Sequence, residues 1–187
     1  EEIDAAHLAE LSDKAWEDCE KSNLPNFYLD LKYYRESLKN NSNPYTPAVN
    51  LVFALEESLR MMQEEGLENI FQRHEKHKLA VSNAIQELNL KLFANNTCLS
   101  PSVTAIESTQ IDAETFRKII KDKYDILLAG GQDHLKGKIF RVGHLGYINN
   151  RDIMNSISAI GLTLLEQKLI TTEEVGKALQ TAEAYLQ

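Results

Sequence analysis

Two cysteines, one tryptophan and four prolines are all that the 187 residues contain of those types. Cys19 and Cys98 are too few for a disulfide framework, and neither belongs to a CxxC pair of the kind that holds zinc or runs thiol redox chemistry. Both read as reduced, structural thiols. An excess of positive charge is missing as well: 20 Lys and Arg face 28 Asp and Glu, for a formal charge of -8. That balance opposes the counterion release that drives nucleic-acid binding, so nucleic acid is not expected as a partner. The longest apolar runs, such as "AVNLVFAL" (48 to 55), fall far short of a membrane span, and no charged-then-apolar leader opens the chain. The expectation is a cytoplasmic protein with no membrane partner. No HExxH, GxSxG or phosphate-loop fingerprint is found, and "LAGG" is too irregular for dinucleotide binding. What remains is ordinary: 43% hydrophobic and 26% charged residues, enough for one domain with a real core or a small domain plus part of another.

The first half reads as helical. "EEIDAAHLAE" is rich in alanine and acids, and Ser12 or Asp13 then caps a helix through "AWEDCEK" that ends at Asn23 and Pro25. Phe27, Leu31, Tyr34 and Leu38 recur at helical intervals, which predicts an amphipathic helix over 26–39. Val49, Val52, Leu55, Leu59 and Met62 hold the strongest helical period, with Pro47 in a first turn and Thr46 as candidate cap. Gly66 interrupts this pattern, which resumes to about Leu88: one long kinked helix, or two in tandem.

After Leu90 the apolar runs shorten. Strands are expected at 90–93, 102–107, 125–129 and 138–142, with a helix from Asp112 to Tyr124 and another from Asn150 or Asp152 to about Lys168. A last helix follows in "TTEEVGKALQTAEAYL", although Thr172 has Val175 three residues on rather than a capping acid. The order strand, helix, strand, strand, helix implies an α+β fold with a split βαβ layer, an antiparallel sheet covered by helices on one face. The boundaries expected are a helical segment over 1–46, a long helix over 47–89 and an α+β domain over 90–187.

Three constellations could carry chemistry. In "GKIFRVGHLGYINN" (137 to 150) Arg141 stands among apolar residues and glycines. Its guanidinium is a permanent fork matched to a carboxylate, and Gly143 and Gly146 would let a ligand come close. The same arginine could instead be an edge-strand residue paired with a structural Asp or Glu. In "NPYTPAV" (43 to 49) the hydroxyl of Thr46 beside free helix amides is a natural phosphate seat, and equally a plain helix cap. "HEKH" (74 to 77) lacks the spacing and third ligand of a metal site and reads as solvated helix surface; His134 and His144 are loop residues open to a ligand or to none.

From about Leu11 to about Leu165 the sequence resembles the C-terminal part of class V pyridoxal-phosphate aminotransferases of the alanine/serine-glyoxylate type, including the soluble hydrogenase small-subunit group. The resemblance is carried in order by "LSDKAWEDCEKSNLPNFYLDL", "PYTPAVNLVFALEESLRMMQEEGLENIFQRH" and "LLAGGQDHLKGKIFRVGHLGY". It implies a fold-type-I small domain preceded by the last helices of a large domain. It further implies that Arg141 receives the α-carboxylate of a small amino acid or 2-oxo acid. Thr46 would contact the pyridoxal phosphate of a neighbouring subunit, hence a homodimer or larger assembly. The Schiff-base lysine, the acid facing the pyridinium nitrogen and the ring platform all belong to the family's upstream domain, so this chain alone is expected not to transaminate. "EEIDAAHLAE" departs from the resemblance, being polar where the family carries an apolar strand. The competing reading is a free-standing module that binds a small carboxylate or a partner protein without catalysis.

Overall fold

The computed structural model describes residues 11–187, so the helix expected within "EEIDAAHLAE" lies outside the described residues. The chain divides into two compact units, with the boundary after Met61.

In the first unit, α1 (Asp13–Lys21) starts where the sequence places it: the Ser12 hydroxyl accepts the Ala15 N–H and satisfies an amide that the helix itself leaves free. The helix expected over 26–39 is cut short. A 3-10 turn (Phe27–Leu29) comes first, and α2 (Leu31–Leu38) begins only after Asp30, whose carboxylate accepts the Lys32 N–H at 3.0 Å. An aspartate that bonds its own neighbouring backbone sets a helix start rather than a helix interior. α1 and α2 are tied by Arg35, which lies 5.0 Å over the Trp16 ring and 3.4 Å from Glu20.

α3 (Val49–Glu65) and α4 (Leu67–Glu87) are two helices in tandem rather than one kinked rod. Gly66 parts them at φ +83°, a left-handed value that a side chain would disfavour. α3 starts later than expected. Val49 N–H bonds the Pro47 carbonyl at 2.9 Å, closing a tight turn at Ala48, and the Ala48 carbonyl accepts the Leu51 and Val52 amides. Ala48, not Thr46, therefore stands at the helix start, and Pro47 precedes it.

The second unit, Met62–Gln187, holds a four-stranded antiparallel sheet: β1 (Lys91–Leu92), β2 (Val103–Glu107), β3 (Ala129–Gly130) and β4 (Ile139–Gly143), in spatial order β1-β2-β4-β3. α5 (Ala113–Tyr124) links β2 to β3, and β4 inserts between them. This is the split βαβ arrangement expected, and the fold is α+β.

Alternation along the strands sends Leu92, Ile106, Phe140 and Val142 to one face, into a single core with Ala84, Ile85, Phe116, Ile157 and Ala178 from α4, α5, α6 (Asn150–Glu166) and α7 (Thr172–Leu186). Phe116 and Phe140 meet with ring centroids 5.1 Å apart. The strand expected over 125–129 shrinks to Ala129 and Gly130. Asp125 takes the left-handed conformation that ends α5, and the Leu128 carbonyl is taken by Arg117 instead of a neighbouring strand. Two helix starts also move by one residue: Asn149 caps α6 in a capping box with Asp152, and Thr171 caps α7 in a capping box with Glu174. Among the described residues no helix is long and apolar enough to cross a membrane.

Candidate functional site

Because Phe140 and Val142 point into the core, Arg141 between them points to the opposite face of the sheet. β4 is an interior strand, and the residues in register with Arg141 are Ala105 on β2 and Ala129 on β3. Two alanines give the guanidinium a low platform on either side. Its Nε donates to the Gly130 carbonyl at 3.0 Å, and among the described residues it forms no ion pair with an acid. The edge-strand ion pair is thus not what holds Arg141 in this unit. One donor of the fork is anchored to backbone, and both Nη groups of the half-buried guanidinium make no hydrogen bond among the described residues.

The two glycines after Arg141 differ in their purpose. A Cβ on Gly143 would meet nothing within 4 Å, so this exposed position leaves room beside the end of β4. Gly146 sits at φ +82° and is gripped through its backbone: its N–H donates to His74 Nε2 at 3.2 Å, and its carbonyl accepts Arg73 Nη1 at 2.8 Å. The loop after β4 is therefore pinned to α4. Arg73 also spans both carboxylate oxygens of Glu65, at 2.6 and 2.9 Å, which holds the Glu65 carboxyl below its usual range.

His74, His77 and His144 are structural, in contrast to the solvated face expected for "HEKH". His77 is fully buried, with Nε2 3.1 Å from the Asn150 side-chain oxygen, and burial pushes its pKa down. α4 is covered by α6 and α7 here, which the "HEKH" spacing alone does not reveal. His144 is fully buried as well. Its Nδ1 donates to the Pro101 carbonyl at 3.1 Å, which leaves Nε2 to accept the Thr104 hydroxyl at 2.9 Å. Burial lowers its pKa to about 4, so the ring is neutral and locks β4 to β2 just past Arg141. His134 is exposed in a 3-10 turn.

Thr46 belongs to the first unit and Arg141 to the second, and each is described in its own unit. Thr46 is exposed, three residues ahead of the 17-residue α3, and its hydroxyl makes no hydrogen bond among the described residues. That arrangement fits an anion: a free hydroxyl beside the positive end of a long helix dipole. Tyr45 is committed elsewhere, its phenol donating to the Phe27 carbonyl at 2.9 Å and its ring stacking on Tyr28 at 4.6 Å.

Glu114 and Arg117 were not singled out from the sequence, yet they brace the strand beside Arg141. Their i,i+3 spacing on a helix that follows an Asp cap was the available signal.

No protein-family model matches the chain. Among curated proteins it is 50% identical over 156 residues to the soluble hydrogenase small subunit of Synechococcus sp., covering 83% of this chain and 41% of that protein. It is 40% identical over 162 residues to an uncharacterized aminotransferase of Methanocaldococcus jannaschii, again 83% of this chain and 41% of the relative. The chain thus spans about 41% of the length of the curated relatives it matches. Among solved structures, ureidoglycine-glyoxylate aminotransferase from Bacillus subtilis superposes with a TM-score of 0.83 at 29% identity, over 93% of this chain and 46% of that one.

Proposed function

We propose that this chain, a member of the class V aminotransferase family that corresponds to the C-terminal part of its relatives, is the lobe that receives the substrate carboxylate. The reaction of the complete enzyme is transfer of an amino group from a small amino acid to a 2-oxo acid of the glyoxylate or pyruvate type. The observation that carries this reading is the Arg141 guanidinium between Ala105 and Ala129, tied by Nε to Gly130 and unpaired with any acid among the described residues. A permanent planar cation on a flat platform of small residues recognises a carboxylate in two parallel hydrogen bonds and sets the orientation of the carbon next to it.

Pyridoxal phosphate, when bound, supplies the electron sink for that carbon. Thr46 and the amino end of α3 would hold its phosphate, a role that the free hydroxyl fits. The Schiff-base lysine and the ring-binding residues lie outside these 187 residues in this reading, so the chain by itself does not transaminate. In the same reading, residues 1–46 close a large domain, 47–89 connect the lobes and 90–187 form the small domain. In this reading the enzyme is cytoplasmic. It assembles as a homodimer or larger, a reading supported by Leu51 and Leu55, which lie on one face of α3 and are at least half exposed.

The test is reconstitution. The chain is mixed with a separately produced lysine-bearing large domain from a relative, and alanine-dependent consumption of glyoxylate is followed. Activity that needs both parts and fails with Arg141→Lys supports the lobe. No activity, together with tight carboxylate binding by this chain alone, supports a free-standing binding module.

A further inference from the structure

If Arg141 is the carboxylate receptor proposed above, its aim depends on β3, a strand of only two residues at the sheet edge. Two ladder positions hold such a strand weakly, and something else must fix it. α5 does so. Arg117 Nε donates to the Leu128 carbonyl at 2.7 Å, and Nη1 is held by Glu114 at 2.8 Å. The ion pair lies directly against Gly130: a Cβ built there would come within 2.5 Å of Arg117 Nη1 and 2.7 Å of a Glu114 oxygen. Gly130 has no positive φ, so a side chain at this position would act by displacing this pair and not by straining the backbone. The peptide bearing the Gly130 carbonyl is thus pressed by α5 on one side and accepts Arg141 Nε on the other.

We infer that Arg117 is a positioning residue for Arg141: by clamping Leu128 and Gly130 it holds the carbonyl that anchors Nε and so presents both Nη groups to the substrate carboxylate. Arg117 touches no substrate. Its guanidinium acts through one backbone carbonyl. Glu114 keeps it in plane, and Gly130 gives it access. Anchoring at Nε leaves the end of the fork, not its side, as the recognition edge, which suits a carboxylate that arrives head-on from the open face of the sheet.

The experiment follows the Arg141 Nε–H by NMR in the whole chain, with pyruvate as the probe for carboxylate binding. In Arg117→Gln, exchange of the Arg141 Nε–H should rise about tenfold and pyruvate affinity should fall about tenfold, the change that follows loss of one hydrogen bond to a charged donor. Backbone amides of β2 and α6 should keep their protection. A core variant chosen for the same loss of melting temperature, Ile157→Val, should leave the Nε–H unmoved, which separates positioning from general loosening. If Arg117→Gln does not fold, Glu114→Gln is read the same way, with a smaller rise. An Nε–H as protected in these variants as in the parent overturns the inference. The receptor reading fails separately, if pyruvate binds the parent chain no better than Arg141→Lys.

Discussion

His144 Nε2 accepts the Thr104 hydroxyl at 2.9 Å while Nδ1 donates to the Pro101 carbonyl, both in a site closed to solvent. The pair joins β4 to β2 three residues beyond Arg141. Burial holds the His144 pKa at about 4 against an ordinary 6.5. Between those values the unfolded chain binds a proton that the folded one refuses, so stability is complete above pH 6.5 and is lost as pH falls towards 4. A shift of that size is worth roughly 3 kcal/mol at most. The urea midpoint should therefore drop steadily from pH 7 to pH 5. His144→Gln should flatten the slope in part, with His77, whose pKa is also lowered by burial, keeping the remainder. A midpoint that does not move over this interval would refute the neutral, buried assignment.

The sheet and α5 are joined at Phe116 and Phe140, both fully buried. Phe140→Ala removes a ring from the centre of the core next to Arg141 and should cost about 3–5 kcal/mol in chemical denaturation, with an exposed position such as Leu127→Ala as a near-neutral control. A cost below about 1 kcal/mol would mean that the site collapses around the missing ring, against the packing described.

Thr171 accepts the Glu174 N–H and the Glu174 carboxylate accepts the Thr171 N–H, a reciprocal box that starts α7. Thr171→Ala should destabilise by about 1 kcal/mol, and Thr172→Ala by much less, in parallel urea titrations. Equal effects would show that the cap is not at Thr171. The box is present in the sequence as T-x-x-E, but counted from Thr171, one residue ahead of the start expected at Thr172. The Asn149 cap likewise lies one residue ahead of the start expected at Asn150. These are register errors within elements correctly placed, because periodicity fixes a helix better than its ends. The split βαβ order, the Gly66 break and the Asp112 cap were all legible, since each rests on local chemistry. β3 was not legible at its true length, and the burial of His77 was not legible at all. Both depend on partners far along the chain, Arg117 for the first and α6 with Asn150 for the second. Arg141 was legible as an unusual cation, but the alanines that flank it are strand neighbours and appear only once the register is known.

Arg141→Lys keeps the charge and loses the fork. The ammonium cannot reproduce an Nε anchored on the Gly130 carbonyl together with two parallel donors to a carboxylate. Pyruvate binding, measured by calorimetry, should weaken about tenfold or more, while the urea midpoint at pH 7 changes by less than about 1 kcal/mol in stability, because the side chain is only half-buried and makes no ion pair among the described residues. Unchanged affinity would remove Arg141 from any receptor role.

α3 carries the most exposed large apolar side chains among the described helices: Leu51 is 71% exposed, Phe53 63% and Leu55 50%. Leu51 and Leu55, with Leu59 at 48% exposed, follow one another at four-residue spacing on one face of α3, with Phe53 on the other side. An apolar stripe of this kind in water favours association, through burial worth about 25 cal/mol per Å². The chain should therefore sediment as a dimer or larger species at micromolar concentration. Leu55→Glu places a charge within the stripe and should shift the distribution towards monomer, with no loss of helicity by circular dichroism, since glutamate is a good helix former. A parent chain that is monomeric across this range would show that α3 does not drive assembly of this chain on its own, and the homodimer proposed for the enzyme would then have to be held by contacts outside these 187 residues.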